Sequence, residues 1–203
     1  MPDKKPFPII LILLLVAMLI LAAAAVFVIG RAKLSRADIP VLYALPEFEF
    51  IDSHGRPFGL EQMKGKLTVV DFIFTNCRGP CPIMTTRMGE LYELYEETDK
   101  IQFVSITVDP DRDSLSVLRD YADRLGVTDD RWIFLWAPLD EVVRLSESGF
   151  KLAADEEMLP MGHTTVFTLV DHNGFIRSYH GGTDEAALAV LKENIRHLIG
   201  DIP

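Results

Sequence analysis

Cys77 and Cys81 are the two cysteines of the chain; Arg78-Gly79-Pro80 separates them and Pro82 follows at once. Thiolates are the nucleophiles of disulfide exchange and soft ligands for Cu(I) and zinc, so this pair points to redox or metal chemistry at one dithiol. A purely structural bridge is the bland alternative. It would close so short a loop that it would constrain the unfolded chain little. A closed structural zinc site is disfavoured as well, because no second Cys or His pair stands at zinc spacing. Residues 67–74 read as a buried strand, and residues 83 to about 98 as an amphipathic helix. The pair thus lies where a strand hands over to a helix. Free amides at a helix N-terminus favour negative charge, so the thiols are expected to lose protons easily there, with Arg78 acting in the same direction.

The elements that must hold this pair follow in order. Residues 47–51 alternate like a half-buried strand, turn through Asp52-Ser53-His54-Gly55 and return through Arg56-Pro57-Phe58. After the dithiol helix, residues 102–108 form a second buried strand, ended by Asp109-Pro110. Asp113 or Ser114 caps a helix running to about Leu125, which Gly126 stops. A short strand at Trp132-Ile133-Phe134-Leu135-Trp136 and a helix over residues 139–148 come next. Residues 149–162 look irregular. Residues 165–170 and 175–180 pair across a turn whose strongest signal is Asn173-Gly174. Thr183 caps a last helix over residues 184–198. Strands alternating with helices imply a central sheet with crossover helices on its faces. A dithiol at the end of the first crossover strand, with a closing hairpin and helix, looks like an α/β, thioredoxin-like fold with an added N-terminal β-hairpin.

Composition bounds the partners. The chain has 203 residues, 49% hydrophobic, with 30 Asp+Glu against 20 Lys+Arg and a net charge of −10. No basic block is present, which argues against sequence-independent nucleic-acid binding. Residues 9–29 carry no charge and would span roughly 31 Å as a helix, enough for a bilayer core. Ala22-Ala23-Ala24-Ala25 offers a signal-cleavage alternative, but the apolar run continues through Val26-Phe27-Val28-Ile29, which favours an uncleaved anchor. The reading is a tail at 1–8, a transmembrane anchor at 9–29, a linker at 30–45 and one domain at 46–203.

The third residue expected at the site comes from the loop before the closing hairpin, Met161-Gly162-His163-Thr164-Thr165. The anchor, Phe74-Thr75-Asn76-Cys77-Arg78-Gly79-Pro80-Cys81-Pro82, Val108-Asp109-Pro110-Asp111-Arg112-Asp113 and His163 together resemble the Sco/SenC family over roughly residues 46–198. That resemblance implies a copper chaperone for cytochrome c oxidase, with Cys77, Cys81 and His163 as ligands for Cu(I) and with Cu(II) as a second state. It implies a copper-site oxidase subunit and a thiol reductant protein as partners. The domain would face the periplasm, or its equivalent, from the inner (cytoplasmic) membrane. Asn76, Arg78-Gly79-Pro80 and Gly162 depart from the family's usual neighbours, and Arg78 could tilt the site toward disulfide chemistry. The rival reading is a thioredoxin-like thiol–disulfide oxidoreductase with Cys77 and Cys81 as its catalytic pair. A thiol peroxidase ranks below both, since Thr75 is not at the spacing such enzymes use. His54 and His172 are expected in solvated turns, His180 at a strand end and His197 in the last helical turn, none as a ligand. Met158 and Met161 are soft donors that more often pack in a core. Asp109 either orients the site loop or caps its own turn.

Overall fold

Strand β4 (Leu67–Ile73) is buried at every residue and organises the domain around it. The computed structural model describes residues 7–34, 39–153 and 164–202, with side chains over residues 11–27 of the first helix. Helix α1 (Phe7–Leu34) forms one unit, and a second compact unit begins at Ile39. Among the described residues no helix is long and apolar enough to cross a membrane.

In the second unit the elements run β1 (Tyr43–Ala44), β2 (Glu49–Asp52), β3 (Pro57–Gly59), α2 (Leu60–Met63), β4, α3 (Cys81–Leu94), β5 (Ile101–Thr107), α4 (Leu115–Arg124), β6 (Trp132–Trp136), α5 (Leu139–Arg144), β7 (Val166–Val170), β8 (Phe175–Gly181) and α6 (Glu185–Ile199). Among the described residues the strands form one sheet in the order β1-β8-β7-β4-β5-β6-β2-β3. β4, β5 and β6 are parallel, with Leu67 opposite Ile101 and Phe103 opposite Trp132. β7 runs antiparallel to both β4 and β8. Parallel neighbours need crossovers, which α3 and α4 supply.

Side chains alternate across β4, so the sheet carries two cores. Val70 and Phe72 join Val104, Ile106, Leu135 and Phe150 on one face. Leu67, Val69 and Ile73 join Met84, Met88, Leu91, Phe103, Leu191 and Ile195 on the other. Burying each such side chain is worth about 1.5–3 kcal/mol, which is why a continuous apolar run can stay central in a sheet.

Several expected boundaries shift. The dithiol helix starts at Cys81 itself and ends at Leu94, short of the expected end near Thr98. Asp184, not Thr183, caps α6, accepting the Ala186 amide at 3.0 Å. Ser114 caps α4 by accepting the Val117 amide, which leaves Asp113 available for another task. β1 lies inside the stretch read as a linker. It pairs with β8, and Arg177 fastens the chain before it by donating to the Pro40 carbonyl at 3.0 Å, to the Ile39 carbonyl and to Asp171 Oδ2 at 3.0 Å. The Asn173-Gly174 turn holds, with Gly174 at φ +84°, a conformation that costs glycine nothing.

Candidate metal centre

The chain leaves β4 at Ile73 and must turn sharply to begin α3 at Cys81. Phe74 stays buried, the Cys77 amide donates to the Phe74 carbonyl at 3.3 Å, and Pro80 and Pro82 sit at the helix start, where a missing N–H is harmless. This turn sets the two sulfurs in different surroundings. Cys77 is half-buried, and its Sγ accepts the Gly79 amide at 3.4 Å. Cys81 is 1% exposed. The two sulfurs are not bridged, and a side-chain hydrogen bond links them.

The expectation of two easily ionised thiols fails at Cys81. Burial, followed by the hydrogen bond and charge of Cys77, pushes its thiol up to about 12, although the Phe74 backbone pulls the other way. A helix N-terminus supplies partial charge, but desolvation of a thiolate beneath the surface outweighs it here. Cys81 joins the apolar core around Val70 and Phe72, yet the charge of a buried carboxylate, Asp71, reaches it. Asp71 is fully buried on β4, and its Oδ1 accepts the Ser105 hydroxyl at 2.7 Å, while Ser105 Oγ accepts the Trp132 indole at 3.0 Å. Asp71 Oδ2 has no hydrogen-bond partner among the described residues, and burial pushes this carboxyl up to about 7. Thr85 Oγ1 and Tyr121 Oη lie 3.0 Å apart.

The loop after β5 reaches the site through Asp113. This carboxylate is 1% exposed. Its Oδ2 accepts the Thr75 amide at 3.1 Å and the Thr107 hydroxyl at 2.6 Å, and its Oδ1 accepts the Thr75 hydroxyl at 2.5 Å. Asp109 does the more local work. Its side chain pairs with Arg112 at 3.0 Å and its carbonyl accepts the Arg112 and Asp113 amides. In the sequence Asp113 read as a helix cap and as part of the Val108–Asp113 stretch that carries the family resemblance, not as a partner of Thr75. The legible signal was Ser114 beside it, a sufficient cap by itself.

The other expected residues divide. His163 lies outside the described residues, together with Met158 and Met161. Among the described residues no cluster of three His, Cys, Asp or Glu side chains could hold a metal. His54 is exposed and His172 half-buried in its turn. His180, expected merely at a strand end, is buried, with Nε2 2.8 Å from Ser178 Oγ and 3.4 Å from Asn194 Nδ2. Burial lowers its affinity for a proton, so it is a neutral core histidine.

Comparison with known proteins gives the family. The SCO1/SenC family model matches residues 41–199, and the chain belongs to that family. It is 31% identical over 150 residues to a SCO1 protein homologue of Bacillus subtilis, covering 70% of this chain and 76% of that one. A relative in Stutzerimonas stutzeri that is named for copper binding is 31% identical over 159 residues, covering 73% of this chain and 76% of that protein. The solved structure of BsSco, a Sco-family cytochrome c oxidase assembly protein with a disulfide switch, is similar at a TM-score of 0.69 and 27% identity. That match covers 79% of this chain and 95% of BsSco. The fold is the thioredoxin-like Sco fold.

Proposed function

We propose that this chain is a membrane-tethered copper carrier that takes up Cu(I) on Cys77 and Cys81, with His163 as third ligand, and passes it to the copper site of cytochrome c oxidase. The observation that carries the reading is a pair of unbridged, hydrogen-bonded thiols at one strand–helix junction, one half-buried and one buried. Two soft sulfurs suit Cu(I), and an outer sulfur gives the ion a point of arrival and departure. The relative named for copper binding and the oxidase-assembly role of BsSco support it. The anchor reading rests on the 28 residues of α1 and on the exposed apolar side chains along it, including Leu14, Leu19 and Val26. The tether would sit in the inner membrane, with the domain on the periplasmic side or its equivalent.

Uptake must displace protons. Cys81 is held as a thiol by its burial, so Cu(I) replaces that proton as it binds, and affinity should rise about tenfold per pH unit for each proton released. The second reading is thiol–disulfide exchange, favoured by the same hydrogen-bonded pair and by the switch in BsSco. There the two thiols give two protons and two electrons to a partner disulfide, which leaves as a dithiol while Cys77–Cys81 closes.

Anaerobic loading of the reduced full chain in detergent with Cu(I) tests the first reading. One copper per chain is expected, lost in Cys77→Ser and Cys81→Ser. His163→Ala should weaken copper retention and change the Cu(II) spectrum while leaving the disulfide able to form. Wild-type protein that takes up no copper, yet exchanges disulfides readily, would leave the oxidoreductase reading alone standing.

A further inference from the structure

The loop from Phe74 to Pro80 carries Cys77, whereas Cys81 is fixed by being the first residue of α3. Its neighbour Thr75 is gripped twice by Asp113, through the backbone amide and through the hydroxyl. Asp113 is itself fixed from two sides. Its second oxygen takes the Thr107 hydroxyl at the end of β5, and its own amide donates to the Asp109 carbonyl at 2.8 Å. The grip spans 38 residues of sequence and joins the ends of two parallel strands, which are also bonded by the Val108 amide to the Ile73 carbonyl at 2.8 Å.

A buried carboxylate with three donors is a costly arrangement unless every bond is made, and here both oxygens are satisfied. Nothing in α4 requires it, because Ser114 already caps that helix. We infer that Asp113 is a positioning residue for the dithiol: by holding Thr75 it fixes Cys77 against Cys81 and sets the effective concentration of one sulfur at the other. Both a disulfide and a two-sulfur copper complex depend on that concentration, as any paired attachment does. The copper half of this inference rests on the carrier function proposed above; the disulfide half does not.

The full chain in detergent provides the test, with two readouts: the equilibrium constant for closing Cys77–Cys81 against dithiothreitol, and the dissociation rate of Cu(I) into a chelator. Asp113→Asn removes the charge from the bonds to Thr75, and Thr75→Val removes the hydroxyl bond alone. Both should lower the closing constant and speed copper loss, Asp113→Asn by roughly tenfold, the size expected for a charge-assisted hydrogen bond. Thr75→Ser keeps both bonds and should behave as wild type. Ser114→Ala weakens the neighbouring cap, so it should lower thermal stability and leave both readouts unchanged. If Asp113→Asn does not fold, Thr75→Val decides. Unchanged closing constants in Thr75→Val and Asp113→Asn would overturn the inference, as would equal shifts in Ser114→Ala. A wild-type chain that binds no copper, with closing constants that still fall in the variants, would end the carrier reading and leave Asp113 in its role.

Discussion

At the scale of single residues, burial decides the chemistry more than sequence neighbourhood does. Asp71 shows this most directly. It lies fully buried with one oxygen unpartnered among the described residues, and its carboxyl is raised from 3.8 to about 7 by desolvation. The folded chain therefore holds a proton that the unfolded chain has released. For an acid raised in this way, stability is greatest below about pH 4, falls as pH rises toward about 7, and is flat beyond. The loss across that window is on the order of 4 kcal/mol, since every tenfold change in proton affinity is worth about 1.4 kcal/mol. Asp71→Asn should abolish that part of the slope. Denaturant midpoints of both proteins at a series of pH values would show it, and parallel curves would contradict it. The same reasoning explains why Cys81 is not the acidic thiol that its helix position suggests.

At the scale of elements, the legible parts were those with a repeating pattern. The continuous apolar run of β4, the second buried strand and the Asn173-Gly174 hairpin could be read because each carries a signal several residues long. β1, with two residues, and α2, with four, are too short to show a period. Within the stretch read as a linker, residues 30–45, the order of residues 39–44 comes from distant partners: β8 pairs with residues 42–44, and Arg177, 137 positions beyond Pro40 in sequence, donates to the Ile39 and Pro40 carbonyls. The Asp113–Thr75 grip was invisible on the same grounds, while the cysteine pair itself was plain. Arg177 also gives a prediction. Its guanidinium is 15% exposed and pairs with Asp171, which is 4% exposed. Arg177→Met should strand that buried carboxylate and cost about 3 kcal/mol. Amide exchange should show the chain before β1 released first; unchanged protection there would show that the guanidinium is not what holds it.

At the scale of the whole molecule, the proposed tether gives the edges of the sheet a consequence. The two outer strands of the sheet are β1, two residues long, and β3, three residues long and opened by Pro57, which has no N–H to offer. Chains fixed to a bilayer share a plane, meet far more often than free ones, and meet in similar orientations. In that setting a long open strand edge would invite side-by-side pairing between copies. On the proposed tether, the blunted edges would keep crowding in two dimensions from becoming assembly. Amine cross-linking of membranes carrying the full chain should therefore return mostly single copies, and Pro57→Val should raise the linked fraction. Wild-type chains that link as readily as the variant would show that the edges play no such part. If the chain is tethered as proposed, short rims of this kind would let it meet a partner along a shared surface without pairing with its own copies.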